Sequence, residues 1–297
     1  MVGWLFLFVA PLSAAAQQRV KPPVPLLPSQ PNPLIADADA HYMGRQEGRV
    51  GSRASNREIS KAIAGYETAA RAPDSAEARW KLARALYFLG AYTGLGEDSQ
   101  RAVYEKARGA GEEAIAIVER RAKATEAPDL RRLTAQQIAS AVRSDPDAAP
   151  SYFWTAVAWG EWALAAGKLR AAKAGAAEKI RDHSSVVIAI DPEFEEGGGY
   201  RILGRLHHQA PRIPFLTGWV SREEAVKNLR LAIQTNASNF VNRLFLAEAL
   251  AEGTAAERAE AIAIVEKLVT DAPSPIHLVE ELKIQEDARR GLRAWRK

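Results

Sequence analysis

The chain has 297 residues, 47% hydrophobic and 26% charged, with 40 Lys and Arg against 36 Asp and Glu, a net charge of +4 and no cysteine. This is the composition of a chain that folds in water, and it excludes wholesale disorder, collagen-like repeats and a polytopic membrane protein. The charge excess is small and unclustered, which gives no footprint for nucleic acid, and without cysteine there is no disulfide, thiolate nucleophile, zinc–thiolate site or acylated cysteine.

Val2 to Ala16 form an apolar run broken by Pro11, ending in Ser13-Ala14-Ala15-Ala16 ahead of Gln17-Gln18-Arg19. Ala14 and Ala16 match the small-x-small pattern that precedes a signal-peptidase cut, and the run is shorter than the roughly 20 residues of a membrane span. The expectation is a signal peptide over 1–16 and export to the periplasm. Its weak point is that no Lys or Arg precedes Trp4. From Lys21 to Leu34 come Pro22, Pro23, Pro25, Pro28, Pro31 and Pro33 with no helical or strand period between them. Such a segment favours polyproline II, so 17–55 is expected to be an extended, proline-rich linker, or else a ligand for a proline-binding module.

From Asn56 the sequence is rich in Ala, Leu, Glu, Lys and Arg without strand-like alternation, so 56–297 is predicted to be an all-helical domain. Within it Arg79-x2-Leu82-Ala83-x2-Leu86 matches Arg243-x2-Leu246-Ala247-x2-Leu250, and Tyr200-x2-Leu203-Gly204-x2-His207 and Tyr152-x2-Thr155-Ala156-x2-Trp159 fit the same template. This is the first-helix pattern of tetratricopeptide (TPR) repeats, in which a small residue lets the second helix of a hairpin approach. Second helices are expected at Ala107-x3-Gly111-x2-Ala114, Ile180-x3-Ser184-x2-Val187, Ala225-x3-Leu229-x2-Ala232, and Ala259 with Ala263, the first three displaced by insertions. Asp145-Pro146 and Asp191-Pro192 fall at repeat boundaries, and 122–143 is an extra helix-forming segment. The predicted fold is all-α, a right-handed superhelical stack of four degenerate TPR-like hairpins with long intra-repeat insertions. The alternative is an irregular alanine-rich helical bundle.

The stretch Glu195-Glu196-Gly197-Gly198-Gly199-Tyr200-Arg201-Ile202-Leu203-Gly204-Arg205 resembles the T-component (TatT-like) family of tripartite ATP-independent periplasmic (TRAP) transporters. The likeness extends to the tryptophan-containing helix around Arg79-Trp80-Lys81-Leu82-Ala83, a proline-containing loop after the third first helix, and Asn242-Arg243-Leu244-x-Leu246-Ala247-Glu248. It covers about Arg79 to Val269. The resemblance implies a periplasmic, trimer-forming repeat protein that associates with the transporter's substrate-binding protein and handles a hydrophobic ligand. Lipoprotein members of that family carry an acylated cysteine that this chain lacks, so the expected form is not lipid-anchored. A weaker likeness to eukaryotic regulators of microtubule dynamics shows that such a fold does not fix a role.

In a stack of this kind the first helices line the concave face. The register then selects Trp80, Arg84, Phe153, Val157, Arg201, Arg205, Leu244 and Glu248 as groove-facing, with Tyr87, Glu161 and His208 one turn further on. Aromatics beside arginines suit a partner segment or an amphipathic anion, because rings bury large areas and guanidinium forks pair with carboxylates. Arg201 and Arg205, four residues apart, are expected to converge on one carboxylate. The other reading has the insertions fold back and fill the groove.

Gly197-Gly198-Gly199 is read as a sharp turn allowing close approach of two repeats, in preference to an anion cradle that Glu193, Glu195 and Glu196 would repel. In the insertion 210–219, Phe215, Leu216 and Trp219 either pack beneath the stack or face another subunit or ligand. Adjacent His207 and His208 point about 100° apart on a helix, and no metal site is expected. No G-x-S-x-G, phosphate-loop or H-E-x-x-H pattern occurs. The functional expectation is a non-catalytic, cofactor-free accessory component of a TRAP-type transporter, with a general scaffold for envelope assembly as the alternative.

Overall fold

In the computed structural model the described residues are 32–123 and 133–296. The expected signal peptide, most of the proline-rich segment and part of 122–143 lie outside them. Among the described residues the fold is all-helical, with thirteen helices and only an isolated bridge between Val50 and Arg53 as extended pairing.

The helices are α1 (Pro33–Met43), α2 (Asn56–Ala69), α3 (Ala76–Tyr92), α4 (Glu97–Lys123), α5 (Ala135–Val142), α6 (Ala148–Ala166) and α7 (Lys168–Lys173). They continue as α8 (Ala176–Ile190), α9 (Phe194–Gln209), α10 (Arg222–Thr235), α11 (Phe240–Ala251), α12 (Ala255–Leu268) and α13 (Leu278–Trp295). Their starts follow from side-chain caps that satisfy orphan N–H groups. Ser55 accepts from Arg57 N, Ser221 from Glu224 N and Asn239 from Asn242 N, while Thr134 with Gln137 and Thr254 with Glu257 close full capping boxes.

The helices pack in pairs, α3 on α4, α6 on α8, α9 on α10 and α11 on α12, and each pair packs on the next. The first helices of successive pairs also touch in series, α3 with α6, α6 with α9 and α9 with α11. The buried clusters follow this order, from α1–α3 through α4–α6–α8 to α10–α13. The template's small residues sit in these contacts. Ala83, Ala156 and Ala247 are fully buried. A Cβ on Gly204 would lie 2.6 Å from Leu229 Cγ of α10, and one on Gly111 would lie 2.5 Å from Thr155 Oγ1 of α6.

Three expectations change. The folded unit begins at Asn32 rather than at residue 56. Pro33 occupies the first turn of α1, capped by Asn32, where proline's missing N–H costs nothing. Helix α1 then packs on α2, with Ala38 fully buried. The insertions also take different forms: the first is absorbed by extending α4 to 27 residues, about 40 Å of helix, the second becomes α7, and only the third remains a loop. In α12 the buried positions are Ala261, Val265 and Leu268, while Ala259 and Ala263 face solvent. Alanine serves equally on a packed and on a solvated helix face, so its spacing alone selected the wrong side.

Candidate functional site

Side chains from α1, α3, α6, α9 and α13 converge on one polar interior. On the Tyr42 hydroxyl of α1 act the charges of Arg84, Arg45, Glu280 and Glu195, and burial holds its pKa above the ordinary value. Arg84 of α3 stacks on Tyr42, 3.9 Å from the ring centroid, and lies 5.2 Å from the Trp80 ring centroid. Its closest carboxylate is Asp39 at 4.0 Å, and its buried Nε has no hydrogen-bond partner. The hydroxyls of Tyr87 and Tyr92 meet at 3.1 Å, and burial raises both phenols.

From α6, Glu161 enters the same interior. Burial pushes its carboxyl from the ordinary 4.5 up to about 7, and Arg205 and Tyr104 only partly offset this. It thus stands near the midpoint of its titration at neutral pH.

Two residues, Arg45 and Gln46, make the long-range contacts that close the interior. Arg45, which follows α1 and is 3% exposed, donates from Nε and Nη2 to Glu280 Oε1 of α13 at 3.0 and 2.7 Å, and from Nη2 to the Ile276 carbonyl at 2.9 Å. Gln46 adds bonds to the Pro275 and Ile276 carbonyls and to Val279 N. For Glu280 burial is outweighed by His277 and Arg45, so its carboxyl stays below the ordinary value, while its second oxygen is buried without a partner. Contacts between residues so far apart in the chain carry no local sequence signal. Tyr42 was missed because it sits where the proline reading placed a linker.

The residues selected by register fall into three groups. Arg84, Tyr87, Glu161, Arg201 and Arg205 belong to the polar interior. Phe153 and Leu244 are core residues, 3% and 2% exposed, Phe153 packing edge-on against Trp154 and Phe194. Trp80, Val157, His208 and Glu248 are partly covered. Trp80 donates to Asp147 Oδ1 at 3.0 Å, His208 Nε2 lies 3.1 Å from Glu252 Oε1, and Glu248 pairs with Arg205.

Arg201 and Arg205 do not converge on one carboxylate. Arg201 Nη1 donates to Asn242 Oδ1 at 2.9 Å and to the Glu195 carbonyl at 3.1 Å, whereas Arg205 pairs with Glu248 and stacks 4.2 Å from the Phe245 centroid. Both forks were expected to meet a ligand, but α11 packs closely enough on α9 to offer each its own partner. Burial lowers the Arg201 pKa, and Glu195 is the first of the charges opposing that shift.

The sharp turn is made by Glu195, Glu196 and Gly197, so only the first of the three glycines takes part in it. Glu195, Glu196 and Gly197 have φ of 49°, 58° and 79°, a left-handed run that starts α9. A Cβ on Gly197 would meet Thr235 Oγ1 at 2.3 Å, on Gly198 the Phe153 ring at 2.5 Å, and on Gly199 Ile188 Cγ1 at 2.7 Å, so the three glycines admit α10, α6 and α8 in turn. Arg201 on the Glu195 carbonyl and Asn242 Nδ2 on the Glu196 carbonyl fasten it.

In the third insertion Phe215 is fully exposed and Leu216 is 48% exposed. Trp219 instead tucks in, its ring 5.3 Å from His207 and 4.9 Å from the Arg181 guanidinium. His207 Nδ1 accepts from Ser221 N at 3.2 Å, so the adjacent histidines serve different partners. Among the described residues no group of three or more His, Asp and Glu is placed to hold a metal ion, and no helix is long and apolar enough to cross a membrane.

Chemically, this interior gathers a guanidinium whose Nε has no hydrogen-bond partner, paired phenols and a carboxyl near its midpoint. Comparison of the chain with protein-family models and with curated proteins finds no match.

Proposed function

We propose that this chain is a non-catalytic TPR-like repeat protein whose polar interior receives a partner segment or an amphipathic ligand, and that it acts in the periplasm as an accessory component of a TRAP-type solute transporter. The observation that supports the repeat reading is the set of small template residues, Ala83, Ala156, Gly204 and Ala247, all buried and one pair of helices apart. The transporter role rests on the resemblance around Gly197 to Arg205, and its partner is the transporter's substrate-binding protein. A trimer and a hydrophobic ligand are further parts of that reading.

The test uses Arg84 and Arg205, since Arg201 is committed to the turn. In the Arg84→Gln/Arg205→Gln variant the ion pairs lost are partly exposed, so stability is expected to stay within about 1 kcal/mol of wild type. Capture of a TRAP-type substrate-binding protein from the same organism is expected to fall at least tenfold by pull-down. Full capture by the folded variant defeats the interior as the binding face, and absence of capture by wild type defeats the transporter role.

A further inference from the structure

Four of the eight exposed large apolar side chains among the described residues are Leu164 at 67%, Leu169 at 71%, Phe215 at 106% and Leu216 at 48%. All four lie in the segments that join first to second helices, 162–175 from α6 through α7 to α8, and 209–220 from α9 to α10. Helices α6 and α9 are first helices of successive pairs and pack on each other. Trp162, Ala166 and Ala171 share one cluster with Ala210 and Trp219, which puts both segments on the same edge of the fold.

The charge carried by these two segments has one sign. The two segments hold Lys168, Arg170, Lys173 and Arg212 and no Asp or Glu, in a chain whose net charge is only +4. Lys168 and Lys173 are exposed, and beside them Leu169 and Arg170 complete an open recess with Ala166 and Gly167. Arg170 comes no closer than 3.9 Å to Glu105, and Arg212 donates to the Gly218 carbonyl. On the flanking helix α8, Glu178 and Asp182 are balanced by Lys179 and Arg181.

The Phe215 loop is built to hold its ring outward. Thr217, 4% exposed, accepts from Ile213 N at 2.9 Å and donates to the Pro211 carbonyl, and Trp219 Nε1 donates to the Leu216 carbonyl at 3.0 Å. Phe215 has φ 64°, a conformation that bulky residues rarely adopt.

We propose that this edge docks on an anionic phospholipid surface, with Leu164, Leu169, Phe215 and Leu216 entering the headgroup layer and Lys168, Arg170, Lys173 and Arg212 meeting lipid phosphates. Separate apolar tips among exposed cations are the interfacial pattern. A protein-binding patch instead gathers its apolar groups into a dry centre surrounded by a polar rim. This inference is independent of the partner proposed for the interior.

The experiment is co-sedimentation of the full chain with phosphatidylcholine vesicles, with and without phosphatidylglycerol, at low and at high salt. Expected is binding to the anionic vesicles that weakens with salt and is nearly absent on neutral ones. Each lysine near an anionic surface contributes about a fivefold increase in partitioning, so Lys168→Glu/Lys173→Glu is expected to lower binding at least tenfold. Phe215→Ser/Leu216→Ser should lower it comparably, both variants melting like wild type because the altered side chains are exposed. The apolar N-terminal run is common to all three proteins, so differences among them report on this edge. Equal binding by all three, or no binding by wild type, overturns the proposal. So does a self-association of wild type, seen by light scattering, that the same substitutions abolish while vesicle binding persists.

Discussion

Glu161 shows how one side chain sets a pH dependence. Burial holds its carboxyl at about 7 against an ordinary 4.5, so between these values the native state binds a proton that the unfolded chain has released. Stability from this group is therefore full below pH 4.5 and lost as pH rises through 7. Replacing Glu161 by Gln is expected to flatten that limb and to raise stability above pH 7 by on the order of 1 to 3 kcal/mol. Melting temperatures from pH 4 to pH 8 check it; identical profiles for the two proteins rule out the burial effect. Glu161 entered the sequence reading only as a position one turn from a template residue, and its perturbed state arises from burial, which Tyr104 and Arg205, its neighbours in space alone, only partly offset.

At the scale of elements, Gly204 is the most direct probe of how the hairpins close. Its missing Cβ lets α9 lie against Leu229 and the Ala225 carbonyl of α10. Gly204→Leu is expected to force the pair apart and cost about 1 to 3 kcal/mol through overpacking, seen as a lower denaturation midpoint at unchanged helix content. An unchanged midpoint shows that α9 and α10 do not meet there. This contact was legible because only a small residue satisfies it. The face of α12 was not legible, since Ala259, Ala261 and Ala263 are chemically the same and only Val265 and Leu268 betray the buried side. The insertions were countable but their form was not: extra residues lengthen a helix when their composition favours it, as in α4, and become a loop when prolines intervene, as at Pro211 and Pro214.

For the whole molecule the decisive contact joins its two ends. Arg45 and Glu280 are 235 residues apart, and the pair is largely buried. Removing one partner leaves the other charge buried without compensation, which typically costs about 3 to 5 kcal/mol. Arg45→Ala is expected to destabilise by that order in urea titration, and Arg45→Ala/Glu280→Ala by less than the single change. If the single variant unfolds at the wild-type midpoint, the ends are not held by this pair.

The all-helical class, the paired-helix order and the small first-helix residues at helix contacts were determined by the sequence alone, because helix propensity and spacing are local properties that a short window contains. A turn near Gly197 was readable from three adjacent glycines, but that Glu195 and Glu196 carry most of it was not. Only the tertiary structure decided that α1 belongs to the folded unit, that Arg201 and Arg205 are taken by different partners on α11, and that Tyr42, Arg84, Glu161 and Glu280 face one interior. These depend on which helix faces meet across long stretches of chain. A side chain's role in that setting is fixed by neighbours that no nearby stretch of sequence names.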